Sequence, residues 1–470
     1  MSMPMNARTA IAGLAVVAAA CGGDPASPGT TSTSPPPPPP LELPTDRLLT
    51  DAELLTSLDS LAPTEPSERV AWAKGAAHPI RSLTYDGDFS DLGFLATALQ
   101  GKRLVQLGES GHGVSEFSLA KVRLIKFLHE QLGYDVIAFE SSLFACWDAD
   151  ARAESLGGIG LLQSCPFTVW HVAEVLPLLE YVAATKKTAR PLTLAGFDVQ
   201  LSTLADLRRP PTVRRLFRAA GDTVAGDRWA AFDSTFWAAY RTARSADEMA
   251  AYIRTNYDAL TGGYDSLAAA MVAQRPTLEA ASGRAPVAVA LQSVRGMRAY
   301  LDELRSYLNQ RLADEYRDRG MADNVDFLLD SLYPGKKVIL WAHNAHIRND
   351  GKAVEPEPWR NMGSWIAARR RAETYTIGFY MYRGAAAWNT GVSYSVLTPR
   401  DANTLETILY TARLRYAFYD VAHEPQTAGS QWLWDPIPAL DWGTIPRTMV
   451  IRDEYDGIVF IDTTKEPKYL

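Results

Sequence analysis

The chain has 470 residues, 47% of them hydrophobic and 21% charged, which is long for a single core and predicts one large domain with an insertion, or two domains. With 54 acidic against 47 basic residues the net charge is -7, which argues against the basic surface that nucleic-acid binding needs. No apolar run beyond the first residues is long enough to cross a bilayer, and no internal repeat is visible.

Residues 1–20 read as an export signal: Arg8, an apolar run from Ile11, then Ala18-Ala19-Ala20 before Cys21. A Cys directly after small residues makes Cys21 the expected lipidated first residue of the mature chain. Ala18 stands where such sites usually carry Leu, so simple cleavage is the alternative. Residues 21–45, with an unbroken Pro35 to Pro40, form an extended tether that cannot build a core. The expected location is therefore the bacterial cell envelope, periplasmic or membrane-anchored, with membrane contact only through the lipid.

A short helix is predicted over Thr50–Ser60 and another over Leu92–Leu99. Leu104–Leu107 reads as a strand that breaks at Gly108. Glu116–Leu132 reads as a helix capped by Ser115, with an apolar face of Phe117, Ala120, Leu124, Phe127 and Leu128, ended by Gly133. Val136–Phe139 is a second strand, and the strand–helix–strand order implies parallel pairing. A helix over Thr168–Thr185 leads to a third strand, Leu192–Gly196, ending at Phe197-Asp198. The stretch from Arg208 to about Asp330 is helical in pattern. Strands Val338–Trp341, Tyr375–Phe379 and Gly457–Ile461 follow Pro334-Gly335. The expected fold is α/β: a mostly parallel central sheet flanked by helices, with residues 46–205 and 331–470 forming the core and 206–330 a helical lid.

Three of seven histidines, His112, His343 and His346, fall directly after predicted strands, as do Glu109 and Glu140. Ligands of open α/β sheets bind at the carboxyl ends of strands, so these residues are expected to share one site. A histidine near its ordinary pKa can take a proton from water, and a carboxylate beside it fixes its tautomer. Arg317 stays charged and could hold a carboxylate or an oxyanion. This hardware suits hydrolysis by activated water.

Rival chemistries fit less well. Gly108-Glu109-Ser110-Gly111-His112 lacks the second glycine of G-x-S-x-G, leaving an acyl-enzyme through Ser110 as a minor alternative. Cys146 and Cys165 lack a nucleophile motif; in an exported protein they are a candidate disulfide. His343-x-x-His346 alone is a weak metal motif, and no phosphate-binding glycine loop appears. His129 and His171 read as structural. Trp229, Trp237, Tyr240, Tyr252, Tyr257 and Tyr264 read as lid core rather than the lining of a cleft.

These residues, taken in order, resemble the erythromycin esterase family. Gly108-Glu109-x-x-His112-Gly113-x-x-Glu116-Phe117 is similar to its leading motif, Phe139-Glu140 to its second and Gly196-Phe197-Asp198 to its third. Arg317-Asp318-x-x-Met321-Ala322-x-Asn324 and Trp341-Ala342-His343-Asn344-x-His346 resemble the fourth and fifth, with Met362-Gly363 and Tyr455-Asp456-Gly457 also fitting. The resemblance runs from about residue 50 onward. It implies an ester hydrolase without a required cofactor or metal, acting on the lactone of a macrolide-like small molecule, a route to antibiotic resistance. His112 would be the base supported by Glu109 and Glu140. His343, His346 and Arg317 would position substrate or stabilise the oxyanion, with Glu116 on the substrate side. Some members carry Arg five residues after the glutamate that Glu116 matches; here Lys121 stands there and is expected on the substrate side. Arg123, on the Glu116 face roughly 10 Å further along, is the substitute cation. The alternatives are a cell-envelope binding lipoprotein that keeps the fold without the reaction, and a metal-dependent hydrolase.

Overall fold

A computed structural model describes residues 66–356, 358–396 and 403–470. The export signal, Cys21, the tether and the Thr50–Ser60 helix lie outside the described residues. Eleven strands are described: β1 (Ala77–Pro79), β2 (Leu104–Leu107), β3 (Tyr134–Ser142), β4 (Thr193–Asp198), β5 (Lys337–Trp341), β6 (Thr374–Ala387), β7 (Ser393–Val396), β8 (Tyr416–Tyr419), β9 (Pro436–Asp441), β10 (Ile445–Val450) and β11 (Gly457–Thr464).

The short apolar runs L-V-Q-L and V-I-L-W do not alternate with polar residues because both faces of these strands are covered. Val105, Leu107, Ile137 and Ile339 pack on one side with Phe117, Ile125 and Leu128 of the Ser115–Leu132 helix. Leu104, Val136, Val338 and Leu340 pack on the other with Met321, Val325 and Ile366. The result is three layers, helix–sheet–helix. The main sheet runs β1-β8-β11-β6-β2-β5-β3-β4, with β7 beside β6. The pairings from β11 through β4 are parallel, and β1, β7 and β8 add antiparallel edges. No helix among the described residues is long and apolar enough to cross a membrane.

The segment between β4 and β5 is helical, with five helices between Arg209 and Arg305 followed by Gln310–Phe327. It has a core of its own: Trp229, Trp237 and Tyr264 are buried there with Phe236, Met297 and Tyr300. The aromatic residues of the lid therefore serve packing.

Two local expectations are corrected, for residues 168–185 and for Ser115. Thr168–Thr185 is not one helix: Thr168–Trp170 is a 3₁₀ turn, and Pro177 opens a separate helix at Leu176–Thr185. The glycine-rich stretch before it is helical (Leu143–Asp150 and Ala153–Ser164), kinked at Gly157, whose φ of 62° suits only glycine. Ser115 does not cap its helix; its hydroxyl donates to Glu174 at 3.0 Å. Gly133 ends that helix in the left-handed conformation, as expected. The sequence also hides β1, β7, β8 and the β9–β10 hairpin.

Candidate active site

Strands β2, β5, β3 and β4 are neighbours, and the register sets Leu107, Phe139 and Gly196 level with or one step from Trp341. Parallel strands ending together deliver Glu109 and His112, then His343 and His346, then Glu140, then Asp198 to one edge. Gly108 makes the first turn feasible, because a Cβ there would lie 2.0 Å from Asn344 Oδ1. Asn344 in turn donates to the Phe379 carbonyl at 3.1 Å, tying the turn to β6.

Glu109 is the centre of the first cluster. It is fully buried, and its two oxygens meet three partners: His112 Nδ1 at 2.6 Å, Trp170 Nε1 at 2.9 Å and Lys121 Nζ at 2.6 Å. A carboxylate at Nδ1 puts the ring proton there and the lone pair on Nε2. Burial lowers the Lys121 pKa to about 8 against the pull of Glu109. Lys121 also reaches the Ala342 carbonyl at 3.3 Å and lies 4.6 Å from the Trp341 ring centre.

Arg317 is the centre of the second. Its guanidinium donates to Glu140 at 2.8 Å and to Asp198 at 2.5 and 3.1 Å, and Nη1 lies 3.2 Å from His346 Nε2. His346 Nδ1 lies 2.8 Å from Asp318. Burial alone would raise the Glu140 pKa. The charges of His346, Arg317 and His112, with the His343 amide donating at 2.9 Å, instead hold it at about 2.

His343 joins the two clusters. Its ring centre is 5.0 Å from that of His112 and 5.5 Å from Trp442. Nδ1 accepts from the Ala345 amide at 3.2 Å, which leaves the proton on the buried Nε2. Burial and the charges of His112, His346 and Arg348 pull its pKa well below the ordinary value, against the opposing pull of the Ser110 carbonyl. His343 is therefore a neutral donor. Ser110 Oγ is buried without a hydrogen-bond partner, so neither histidine activates it as a nucleophile.

Several expected placements are corrected. Lys121 cannot touch a substrate: it is fully buried and acts through Glu109. Arg123 points the other way, with Nη1 and Nη2 on Asp91 at 3.0 and 2.5 Å and Nη2 on the Asp88 carbonyl, and is no substitute cation. Glu140 is bonded to Arg317 and His343, not to His112. Glu116 accepts from the Lys465 amide at 2.9 Å and fastens the tail. Arg317 and His346 are buried in protein contacts, which position the strand ends instead of facing outward.

Sequence reasoning missed Trp170 and Trp442 as site residues, and it took Lys121 for a substrate contact. Lys121 carried a signal: it sits four residues after Phe117 and three before Leu124, inside the apolar stripe of its helix. Cys146 and Cys165 form the anticipated disulfide. It holds the helix after β3 to the segment that leads into Trp170.

A histidine set by a buried carboxylate at the strand ends of a mostly parallel sheet, with a helical insertion after β4, fits an α/β hydrolase. The erythromycin esterase family model matches residues 129–464, and the chain belongs to that family. The match contains Glu140, Arg317 and His343; the turn with Glu109 and His112 precedes it. The chain is 29% identical over 419 residues to the putative hydrolase YbfO of Bacillus subtilis (strain 168), covering 83% of this chain and 90% of that protein. It is 25% identical over 278 residues to the erythromycin esterase type I of Escherichia coli, covering 56% of this chain and 66% of that one. Its fold is that of a histidine-to-asparagine mutant of the erythromycin esterase EreC in its open conformation, with a TM-score of 0.64 at 18% identity, over 83% of this chain and 98% of the other.

Proposed function

We propose that this hydrolase cleaves carboxylic esters or lactones by water activated at His112, with a macrolide-like small molecule as the substrate class. The observation that carries the reading is the 2.6 Å contact between His112 Nδ1 and the buried carboxylate of Glu109, with a neutral His343 ring 5.0 Å away. Water gives a proton to His112 Nε2 as its oxygen attacks the carbonyl carbon. Glu109 stabilises the imidazolium that forms. The His343 Nε2–H donates to the oxyanion of the tetrahedral intermediate. Collapse breaks the bond to the alkoxide, which takes the proton back from His112 and leaves as the alcohol. The E. coli relative's name supports the substrate class.

The test is a panel of simple esters and macrolides, read by mass spectrometry for the gain of one water. His112→Ala should abolish turnover with the fold intact by circular dichroism. Full activity in that variant would place the base elsewhere.

We further propose that the protein is an exported lipoprotein acylated at Cys21. The signal and tether pattern supports this, as does a disulfide, which persists in oxidising compartments. Cys21→Ser should release the protein from the membrane fraction; unchanged fractionation refutes acylation.

A further inference from the structure

The β9–β10 hairpin closes on Asp441-Trp442-Gly443-Thr444, and Trp442 stands there with a φ of +57°. Among the described residues only one other non-glycine residue, Arg413, has positive φ. Left-handed backbone is costly for a bulky side chain, and a glycine or asparagine would fit the turn better. The indole, not the backbone, is what recommends tryptophan.

Its contacts show why. The indole lies 5.5 Å from the His343 ring at an interplanar angle of 29°, a stacked arrangement, and 5.7 Å from His112 at 82°, edge to face. Trp170 meets His112 from another side at 5.1 Å and 89°. The hairpin tip is fastened to the same turn: the Trp442 amide donates to the Ser110 carbonyl at 2.5 Å, and its carbonyl accepts from Tyr394 at 2.8 Å. Gly111 leaves room for the ring, since a Cβ there would come within 3.0 Å of it. The base of the hairpin is anchored as well, Asp441 accepting from Arg348 at 2.5 Å on the segment that carries His343.

We propose that Trp442 is a positioning residue for the histidine pair, its indole fixing both imidazole planes and shielding His343 from water. This rests on the hydrolase reading above. An apolar face against His343 keeps that ring neutral, with its proton on Nε2 for the oxyanion. The edge-to-face contact stops His112 from rotating off its Glu109 bond. A ring free to turn presents its lone pair to water only part of the time, so the loss falls on kcat and spares KM.

The experiment compares Trp442→Gly, Trp442→Phe and Trp442→Leu in the full chain with the wild type. Glycine suits the left-handed turn, phenylalanine keeps a flat ring, and leucine keeps bulk without one. Histidine side chains labelled with 15N report the His343 titration directly. Trp442→Gly and Trp442→Leu should raise the His343 pKa by about one unit or more. They should lower kcat about tenfold or more, with KM changed less than about threefold. Trp442→Phe should restore most of both. Equal behaviour of the leucine and phenylalanine variants, or an unmoved His343 titration, would overturn the proposal. Should the glycine variant fail to fold, the leucine–phenylalanine pair still decides. Should the wild type hydrolyse no ester, the hydrolase reading falls while the titration still tests the shielding.

Discussion

Glu109→Gln tests the proposed chemistry with the least disturbance to shape. The carboxylate is fully buried and meets three N–H partners between 2.6 and 2.9 Å. An amide of the same shape serves all three only if Lys121 gives up its proton. With its oxygen toward His112 and Trp170, its NH₂ faces the Lys121 ammonium; flipped, the NH₂ opposes the Trp170 N–H and demands the wrong tautomer of His112. Lys121, its pKa already down at about 8, can yield a proton and accept from that NH₂, so the first arrangement survives. What is lost is the charge opposite His112, which matters only once the ring becomes imidazolium. A hydrogen bond to a charged group exceeds a neutral one by about 1–2 kcal/mol, and burial without a counter-charge enlarges the difference to about 3 kcal/mol. That is on the order of a 100-fold loss in kcat with KM little changed. Steady-state kinetics on an active ester, with thermal unfolding as control, measures it. Glu109→Gln that folds and keeps kcat within about threefold would refute the role of Glu109.

The second cluster predicts a pH effect. Glu140 is held at about 2, below its unfolded value of 4.5. Its contribution, on the order of 3 kcal/mol, is therefore full above pH 4.5 and disappears as pH falls toward 2. Arg317→Met should flatten that limb of the acid-unfolding curve and cost about 3–5 kcal/mol at neutral pH, having stranded two buried carboxylates; an unchanged curve would show that Arg317 does not set the pKa. Arg123→Ala should lower stability by about 1–3 kcal/mol through loss of Asp91 while leaving kcat and KM alone, and a raised KM would restore Arg123 to the substrate site. Cys146→Ser with Cys165→Ser should cost about 3 kcal/mol by denaturant titration, given the 19-residue separation, and no loss would mean the link adds nothing to stability.

The parts that were legible in the sequence are those in which local pattern and global position agree. The turn from Gly108 to His112 could be read because a buried strand leaves a short unbroken apolar run, and polar residues directly beyond it must lie at the strand end. The lid could be read because its length and helical period leave no room for a strand. The errors arise where one residue answers to a partner far away in the chain. Arg123 shares a helix face with Glu116, yet Asp91, 32 residues earlier, decides where it points. Glu140 lies near the end of β3, which runs on to Ser142, but Arg317, 177 residues later, claims it before His112 can. β8 is too short, at Y-A-F-Y, to announce itself without β11 to pair with. Trp442 gives no local sign, because a hairpin of that sequence would more readily carry asparagine at its tip.

The helices from Arg209 to Arg305 leave the sheet after β4, where Val199 and Leu201 enter their core and Glu303 accepts from Gln200. Its own apolar interior holds those helices together. Inheritance can therefore act on the two parts at different rates. Substitutions among the outer helices would then be taken up first by their own interior.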